Sequence, residues 1–404
     1  MPPAPASRPA ERPPGYSAAV RSAQVQTWPA PGGTWAQAVA SWPVVESALR
    51  GDGPAVCPDP SHLPECEIPD DVALLLGTSG STGTPKYAQL TADSLRASVD
   101  GVHRAMGGPG AWLLCVPPTH ITGFQGIQRS FAAGHEPVCL DPGPFTPAAF
   151  VAGVARLPDA PARYTTLVPT QLVRILADPV ATEAARSLTR VLVGGAPLPG
   201  PTAERARRAG LRVTLGYGAS ETSGGCLYDG RFLDCAHGRL EDGRILVGGR
   251  VVASGYAGRP DLTAAAFPVR DDGSRWFRTD DAGEFADDGR LLVLGRLDDV
   301  INTGGLKVAP RVVEEAIARA CPEVQDVLVV GLPDPEWGDI VAAAIVVDEG
   351  SQPAPSCAEI RARLDLPGYA RPRFVLPVAA LPLTGPGKHD RIAARAMVQA
   401  ARAG

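Results

Sequence analysis

The sequence lacks the features that mark membrane, exported or nucleic-acid-binding proteins. No apolar run approaches the roughly 20 residues needed to cross a bilayer, and the N-terminus has no apolar signal-peptide segment. The formal net charge is -5, so nucleic acids and anionic membrane surfaces gain no electrostatic support as partners. We therefore expect a cytoplasmic protein with no nucleic-acid partner and no membrane insertion.

Cysteine pairs at metal or redox spacing are also missing. The 8 cysteines are scattered, with no Cys-x-x-Cys pair, which is the pattern of free thiols in a reducing compartment. Aromatic residues make up only 5% of the chain, whereas 45 Gly and 42 Pro are present. This composition predicts many turns and a core of Val, Leu and Ala.

The order of apolar runs predicts an α/β fold, α+β overall, in two domains. Short apolar runs alternate with helical segments between residues 72 and 209, which favours helices layered on a largely parallel sheet. Residues 35–49 are predicted to form one helix, Thr91 to cap another, and residues 251–256 to form a strand. We expect a disordered Pro/Ala-rich lead-in (1–33), a large N-terminal domain of layered sheets and helices (34–297), and a small mobile C-terminal α+β domain (298–404).

The stretch LLLGTSGSTGTPK at residues 74–86 is the feature around which the other candidate residues are arranged. Glycines at every third position allow a tight turn that brings backbone N–H groups close to a ligand. The loop suits a polyphosphate, and a flexible turn between two strands is an equally good interpretation. It matches neither the P-loop nor the dinucleotide fingerprint. Its candidate phosphate-binding residues are Thr78, Ser79, Gly80, Ser81, Thr82, Gly83 and Lys86.

Further motifs each have an ordinary interpretation beside a functional one. Tyr217 offers a flat face for a purine, and Glu221 an oxygen ligand for Mg²⁺, but both could lie in a surface turn. Asp281 could accept hydrogen bonds from ribose hydroxyls or belong to a charged turn. Lys388, near the C-terminus, could be a solvated surface lysine.

Together and in this order, these motifs resemble the adenylate-forming superfamily of acyl-CoA synthetases, luciferases and peptide-synthetase adenylation domains. The resemblance covers residues 74–391. It implies that ATP and a carboxylate form an acyl-adenylate and pyrophosphate, and that a thiol, here CoA, then displaces AMP. It also implies Mg²⁺ on Glu221 and Thr78, and a C-terminal domain that rotates between the two steps.

The resemblance assigns roles residue by residue. It makes Lys388 and Glu221 catalytic, with His120 as a third candidate, and places the hinge at Asp298. Its thiolation loop comprises Gly304, Gly305, Leu306 and Lys307. The nucleotide-binding residues beyond the glycine loop are Gly195, Ala196, Pro197, Tyr217, Gly218, Ser220, Asp281 and Arg296.

Segments 118–127, 166–172 and 220–226 resemble the o-succinylbenzoate–CoA ligases, the menaquinone-pathway branch of the superfamily. This implies a small aryl carboxylate as substrate. His120 would line the acyl pocket, or alternatively pack as an ordinary histidine beside Pro118. The candidate substrate residues are His120, Thr122, Gly123, Thr170, Ser223 and Gly224, with Gln171 as a further suggestion.

Four positions depart from the superfamily pattern, which puts substrate scope in question. Three of them are Tyr87 where glycine is usual, Asn302 where lysine is common and Arg244 where glutamate is frequent; the fourth, Asp280 in place of the usual glycine, fits the o-succinylbenzoate branch, as does the whole run 276–281. Two other functions stay open at this point. One is an adenylating enzyme of secondary metabolism that takes another aryl acid and loads a carrier protein, and the other is a catalytically silent binding protein. A homodimer is also left open.

Overall fold

A computed structural model describes residues 25–78, 85–140, 143–347, 353–384 and 388–403. The twenty-one strands of these residues are β1 (Gln26–Thr27), β2 (Val56–Cys57), β3 (Val72–Thr78), β4 (Lys86–Thr91), β5 (Ala111–Leu114), β6 (Val138–Cys139), β7 (Arg163–Leu167), β8 (Arg190–Gly194), β9 (Val213–Ala219), β10 (Gly224–Tyr228), β11 (Arg231–Phe232), β12 (Ala236–Glu241), β13 (Arg244–Gly249), β14 (Gly255–Tyr256), β15 (Trp276–Phe285), β16 (Leu291–Arg296), β17 (Ile301–Thr303), β18 (Leu306–Val308), β19 (Val324–Asp334), β20 (Gly338–Val347) and β21 (Phe374–Pro377).

Twelve helices accompany these strands in the described part of the chain. They are α1 (Trp35–Ala40), α2 (Trp42–Arg50), α3 (Ala92–Met106), α4 (Ile121–Ala132), α5 (Pro147–Arg156), α6 (Pro169–Leu176), α7 (Pro179–Arg186), α8 (Gly200–Arg208), α9 (Pro260–Ala266), α10 (Pro310–Ala320), α11 (Cys357–Arg363) and α12 (Arg391–Ala403). Each described helix is too short or too polar to traverse a lipid bilayer.

Three sheets build the large N-terminal domain. The first has the order β1-β2-β3-β4-β14, the second β11-β10-β9-β8-β7-β5-β6, and the third β12-β13-β15-β16. In the second sheet β9, β8, β7, β5 and β6 all run parallel, with helices between successive strands. The predicted α/β layering over a largely parallel sheet is therefore confirmed.

The expected disorder of the lead-in is wrong for residues 25–33, whereas residues 1–24 lie outside the described residues. Strand β1 pairs in parallel with β2. Trp28 is only 1% exposed, and its ring centroid lies 5.6 Å from those of both Trp42 and Phe124. Composition alone missed this order because the stabilising contacts come from residues far along the chain.

Local expectations were met in part. Thr91 caps α3 by accepting a hydrogen bond from the Ser94 N–H at 3.1 Å, as predicted. The single helix expected over 35–49 is wrong, because α1 ends at its C-cap Ser41 and a second helix, α2, begins at Trp42 with Pro43 in its first turn. The strand expected over 251–256 is limited to β14 (Gly255–Tyr256), the part of this segment that pairs with β4.

A smaller C-terminal domain follows the third sheet. Strands β19 and β20 form a long antiparallel pair, and α11 connects β20 to the parallel strand β21. Val313 and Ile317 of α10 pack on one face of this sheet, and Ala394 and Val398 of α12 belong to the core on the other. The chain leaves the third sheet after β16 and enters the sheet of the C-terminal domain at β17. A domain boundary at residue 298 is compatible with this topology and stays a prediction.

We expect Trp28→Ala to lower the free energy of unfolding by about 3–5 kcal/mol, because it leaves a cavity between two aromatic rings. The midpoint of urea denaturation, followed by fluorescence, measures this loss. Val180→Ala, at a side chain 65% exposed, is the control and should stay within about 0.5 kcal/mol. Equal effects of the two substitutions would contradict a packed role for Trp28.

Candidate active site

The candidate residues meet at the carboxyl ends of the parallel strands in the second sheet. Such ends lie at one edge of a sheet, where ligands of α/β proteins usually bind. Loops after β5, β7, β8 and β9 surround one cavity there. Its walls include Gly77, Val116, His120, Ile121, Thr122, Arg129, Thr166, Val168, Gly194, Gly195, Tyr217, Gly218, Ser220, Gly224, Gly225, Tyr228 and Lys388.

Tyr217 and Asp281 come together from two different sheets. The Tyr217 hydroxyl on β9 donates a hydrogen bond to Asp281 Oδ2 on β15 at 2.6 Å. Burial raises the pKa of Tyr217 well above its usual value, and the neighbouring Asp281 adds to this shift. Burial also raises the pKa of Asp281, against the opposing effects of Tyr217 and of Arg296. Tyr217 thus lines the cavity, and the Asp281 carboxylate holds its hydroxyl.

Glu221 and Lys86 lie beside a shared aromatic residue. Glu221 is 8% exposed, and its Oε1 accepts a 2.8 Å hydrogen bond from the Tyr256 hydroxyl. Burial raises the pKa of Glu221, while the charges of Lys86 and Arg296 act in the opposite direction. Lys86 Nζ lies 5.2 Å from the centroid of the Tyr256 ring. The predicted metal ligand and the loop lysine are therefore neighbours.

These oxygen donors fit a magnesium ion that is shared with a polyphosphate. Mg²⁺ in such sites usually takes one or two carboxylates, and water and substrate phosphates complete its coordination. Glu221 supplies one buried carboxylate, and the Thr78 hydroxyl donates to the Lys86 carbonyl at 3.2 Å. No group of three or more His, Cys, Asp or Glu side chains among the described residues could cage a metal ion.

Lys388 enters the cavity from the C-terminal domain. A Cβ atom on Gly195, whose φ is +83°, would lie 3.0 Å from Lys388 Cε, so glycine leaves room for the lysine. Burial lowers the pKa of Lys388. Burial and the charge of Lys388 also lower the pKa of His120. The neighbouring His389 lies 2.9 Å from Asp326, which anchors the segment that carries the lysine.

Two family models match this chain. The model described as AMP-binding enzyme matches residues 18–255, and the model described as AMP-binding enzyme C-terminal domain matches residues 313–388. The chain belongs to the AMP-binding enzyme family.

Similar members of this family include ligases that act on carboxylic acids. A probable 2-succinylbenzoate–CoA ligase of Mycobacterium tuberculosis is 44% identical over 372 residues, which covers 87% of this chain and 93% of that protein. Two solved structures share the fold. ATP-bound MatB from Rhodopseudomonas palustris has a TM-score of 0.71 at 27% identity, covering 81% of this chain and 68% of that one. The o-succinylbenzoate CoA synthetase MenE from Bacillus subtilis, in complex with the acyl-adenylate intermediate OSB-AMP, has a TM-score of 0.67 at 26% identity, covering 80% and 68%.

The remaining nucleotide-binding candidates of this AMP-binding enzyme lie at or beside the cavity. Gly218 and Ser220 line it, and Ala196 and Pro197 follow Gly195 in the turn after β8. Arg296 forms a bidentate ion pair with the predicted hinge residue Asp298, in which Nε donates to Oδ1 at 2.8 Å and Nη2 donates to Oδ2 at 2.7 Å. The loop residues Ser79, Gly80, Ser81, Thr82 and Gly83 lie outside the described residues.

Other candidates lie away from the cavity. The predicted thiolation loop is the turn between β17 and β18, where Gly304 and Gly305 have φ of +58° and +78° and Leu306 and Lys307 are exposed. In this arrangement Lys388, and not this turn, occupies the cavity.

The acyl-pocket candidates divide into two groups. His120, Thr122 and Gly224 line the cavity, whereas Gly123, Thr170, Gln171 and Ser223 are not among the residues of its wall, so their contact with substrate stays a prediction. The Ser223 hydroxyl donates to the Val251 carbonyl at 2.9 Å. The Gln171 amide bonds the backbone at Cys115 and Val168. A Cβ on Gly123 would lie 2.1 Å from the Pro117 oxygen, so this glycine is needed for packing.

Sequence reasoning missed the deepest polar residues of the cavity. Arg129 of α4 is 2% exposed, and its Nε and Nη1 have no hydrogen-bond partner within the described residues. The hydroxyls of Thr166 and Tyr228, which line the same cavity, are also buried without a partner there. Burial lowers the pKa of Arg129. The available signal was the only charged residue of α4, because an arginine is almost never fully buried unless it is paired.

We expect Asp281→Asn to weaken AMP binding about tenfold or more, because hydrogen bonds to a charged acceptor contribute about 1.5–3 kcal/mol. The asparagine keeps an oxygen for the Tyr217 hydroxyl, so the fold should be preserved. Isothermal titration calorimetry with AMP measures the change. Asp271→Asn, in an exposed turn, is the matched control, and an equal affinity in both variants would argue against Asp281 as a nucleotide contact.

Proposed function

We propose that this protein is an AMP-forming acid–CoA ligase that converts 2-succinylbenzoate, ATP and CoA into 2-succinylbenzoyl-CoA, AMP and pyrophosphate. Membership of the AMP-binding family supports the adenylating chemistry. The mycobacterial relative named as a 2-succinylbenzoate–CoA ligase, which this chain covers almost entirely, supports the substrate. The physical observation that carries the choice of substrate is the buried Arg129, whose guanidinium lies over the Trp112 ring and whose Nε and Nη1 have no hydrogen-bond partner within the described residues.

The first step brings several anions together, so the site must compensate negative charge. A carboxylate oxygen of the substrate attacks the α-phosphorus of ATP, and the bond to the β-phosphate breaks to release pyrophosphate. Lys388, buried at the reacting end of the cavity, neutralises charge on the carboxylate and α-phosphate. Lys86 positions the β- and γ-phosphates. A magnesium ion held by Glu221 and Thr78 would supply further positive charge to the phosphates.

Aromatic and acidic groups hold the nucleoside. The Tyr217 ring serves as a platform for adenine, and Asp281 accepts hydrogen bonds from the ribose hydroxyls. Because Tyr217 donates to Asp281, the two contacts are fixed relative to each other before the nucleotide binds. Such preorganisation lowers the entropic cost of orienting the α-phosphate toward the incoming carboxylate.

In the second step the CoA thiol attacks the acyl carbonyl of the adenylate, and AMP leaves. We propose that the C-terminal domain rotates about Asp298 between the steps and brings the turn of residues 304–307 to the site that Lys388 occupies. Hinge rotation of this kind is a common way to change the groups at an active site. The cavity position of Lys388 suits the adenylation step.

Arg129 supports a substrate with a second negative charge. A buried guanidinium without a carboxylate partner is costly, and a ligand anion would offset that cost. Thr166 and Tyr228 place two further free hydroxyls beside the same space. 2-Succinylbenzoate has two carboxylates, of which one is activated and the other remains free. We propose that the free carboxylate binds Arg129.

The direction of α4 is compatible with this assignment. His120 and Thr122, at the start of α4, lie at the Lys388 end of the cavity. Arg129 follows Thr122 on the same face, about 10 Å further along the axis at 1.5 Å per residue. Helical side chains tilt toward the N-terminus, so the guanidinium leans back toward the reacting end. An aryl dicarboxylate can therefore extend along the helix.

We expect Lys388→Ala to lower substrate-dependent ATP–pyrophosphate exchange about 100-fold or more, because it removes the charge at the reacting oxygens. Conversion of supplied acyl-adenylate to the thioester should continue near the wild-type rate. Arg319→Ala removes an exposed charge from the same domain and serves as the control. Loss of both half-reactions in the Lys388 variant would overturn the proposed alternation of the C-terminal domain.

We expect Arg129→Met to lower kcat/KM for 2-succinylbenzoate about 100-fold, since removing one side of a buried charge pair costs about 2–5 kcal/mol. The melting temperature should stay equal or rise, because the substitution removes a buried unpaired charge. The test compares 2-succinylbenzoate with 4-oxo-4-phenylbutanoate and 2-butanoylbenzoate, each of which lacks one carboxylate.

Wild-type enzyme should prefer the dicarboxylate, and the Arg129 variant should lose that preference. The variant should keep its activity with whichever monocarboxylate it can activate. Arg129→Lys keeps the positive charge and should retain part of the selectivity. If wild-type enzyme gave exchange with benzoate or anthranilate but none with 2-succinylbenzoate, the protein would instead be an adenylating enzyme for another aryl acid.

A further inference from the structure

Tyr256 connects two charged residues of the candidate site, and the reaction steps above give it no role. Its side chain is 5% exposed. The hydroxyl donates a 2.8 Å hydrogen bond to Glu221 Oε1, and Lys86 Nζ lies 5.2 Å from the ring centroid, within the range of a cation–π contact. A single phenol therefore contacts both a carboxylate and an ammonium group through chemically different parts.

Contacts outside the cavity hold Tyr256 in place. Its backbone N–H donates to Thr263 Oγ1 at 2.9 Å, and Thr263 donates back to the Tyr256 carbonyl at 3.3 Å. The ring of Phe267 packs edge-on against the Tyr256 ring at 5.1 Å. Strand β14 pairs with β4, so that Tyr256 lies opposite Ala88, two residues from Lys86. The phenol is therefore positioned by the fold and does not depend on a ligand.

Glu221 relies on the same short segment for its position. It lies in a 3₁₀ turn, Ser220–Thr222, and not in a regular strand or helix. Its backbone carbonyl accepts a hydrogen bond from Ala253 N–H at 2.9 Å, and its side chain accepts one from Tyr256. Residues 253–256 thus hold Glu221 at both the main chain and one carboxylate oxygen.

We propose that Tyr256 is a positioning residue for the polyphosphate end of ATP: its hydroxyl orients Glu221, and its ring face holds Lys86. This inference rests on the proposed function, in which Glu221 and Lys86 act on the phosphates. A carboxylate fixed through one oxygen presents the other in a single orientation, and a lysine against an aromatic face samples fewer rotamers. Both effects reduce the ordering that nucleotide binding would otherwise require.

The two contacts can be separated by substitution. Tyr256→Phe removes the hydroxyl and keeps the ring, so it releases Glu221 and leaves Lys86 held. Tyr256→Leu removes both contacts. Tyr164→Phe is the matched control, because it also removes a buried tyrosine hydroxyl, which bonds the carbonyls of Met106 and Gly108 at 3.2 and 3.0 Å and is absent from the cavity wall.

The experiment measures binding of ATP with Mg²⁺, ATP with EDTA, and AMP by calorimetry, together with kcat, KM and the melting temperature. We expect Tyr256→Phe to weaken ATP binding with Mg²⁺ and to lower kcat, each by about tenfold, a loss typical of one hydrogen bond to a charged group. AMP, which lacks the β- and γ-phosphates, should bind as in wild type. Tyr256→Leu should in addition weaken ATP binding in EDTA. Tyr164→Phe should change only the melting temperature.

Two results would overturn the proposal. In one, Tyr256→Phe binds ATP with Mg²⁺ and turns over like wild type. In the other, it weakens AMP as much as ATP, which would mean a general distortion of the site. The proposed function is tested separately, on the wild-type protein. It would fail if wild-type protein did not bind ATP, or gave no ATP–pyrophosphate exchange with any acid tested.

Discussion

Burial of unneutralised charge is the constraint on which this site depends. Lys388 and Arg129 lie in one cavity with pKa values lowered by burial, and Glu221 and Asp281 beside the nucleotide space have pKa values raised by burial. Each group is less stable in its charged form than it would be in water. A ligand with an anion at each end, and a metal between phosphate and carboxylate, would compensate Lys388, Arg129 and Glu221, and ribose hydroxyls would donate hydrogen bonds to Asp281. The fold therefore holds an arrangement of charges that only a bound substrate completes.

The departures from the family pattern fit together when their contacts are considered. Arg244, where glutamate is frequent, lies 3.0 Å from Asp280, where glycine is usual, so the two changes compensate each other. Asp280 also lies 3.6 Å from Arg296, which forms an ion pair with the predicted hinge residue Asp298. These pairs are largely exposed, and each contributes little to stability. Their value is geometric, because they connect β15, the strand that carries Asp281, to the predicted hinge.

The departure from glycine at Tyr87, just after the glycine loop, is also explained by the contacts of its side chain. Its hydroxyl donates to the Asp59 carbonyl at 2.7 Å and accepts from His62 N–H at 3.3 Å. A phenol in place of glycine thus ties the proline-rich segment before β3 to the strand that follows the loop. Like Tyr256, it fixes the base of the phosphate loop from outside the cavity.

Local patterns were sufficient to predict the α/β class, the cap at Thr91, and the order of motifs from the glycine loop to Lys388. These features depend on residues close in sequence, and hydrophobic period, capping chemistry and turn glycines report them directly. What composition could not predict was the order of residues 25–33, because Trp28 is buried by Trp42 and Phe124. For the same reason the sequence could not show that the Ser223 hydroxyl bonds the Val251 carbonyl, or that the Gln171 amide bonds the Cys115 carbonyl.

The candidate nucleotide residues could be named from the chain alone because each belongs to a short motif. Arg129 and Tyr256 could not, because one is an ordinary helix position and the other a residue in a two-residue strand. Their importance arises only when α4 buries a guanidinium whose Nε and Nη1 lack hydrogen-bond partners in the described part of the chain, and when β14 brings a phenol between Glu221 and Lys86. Short-range chemistry specifies which groups are present, and long-range packing decides which of them face one another without water between them.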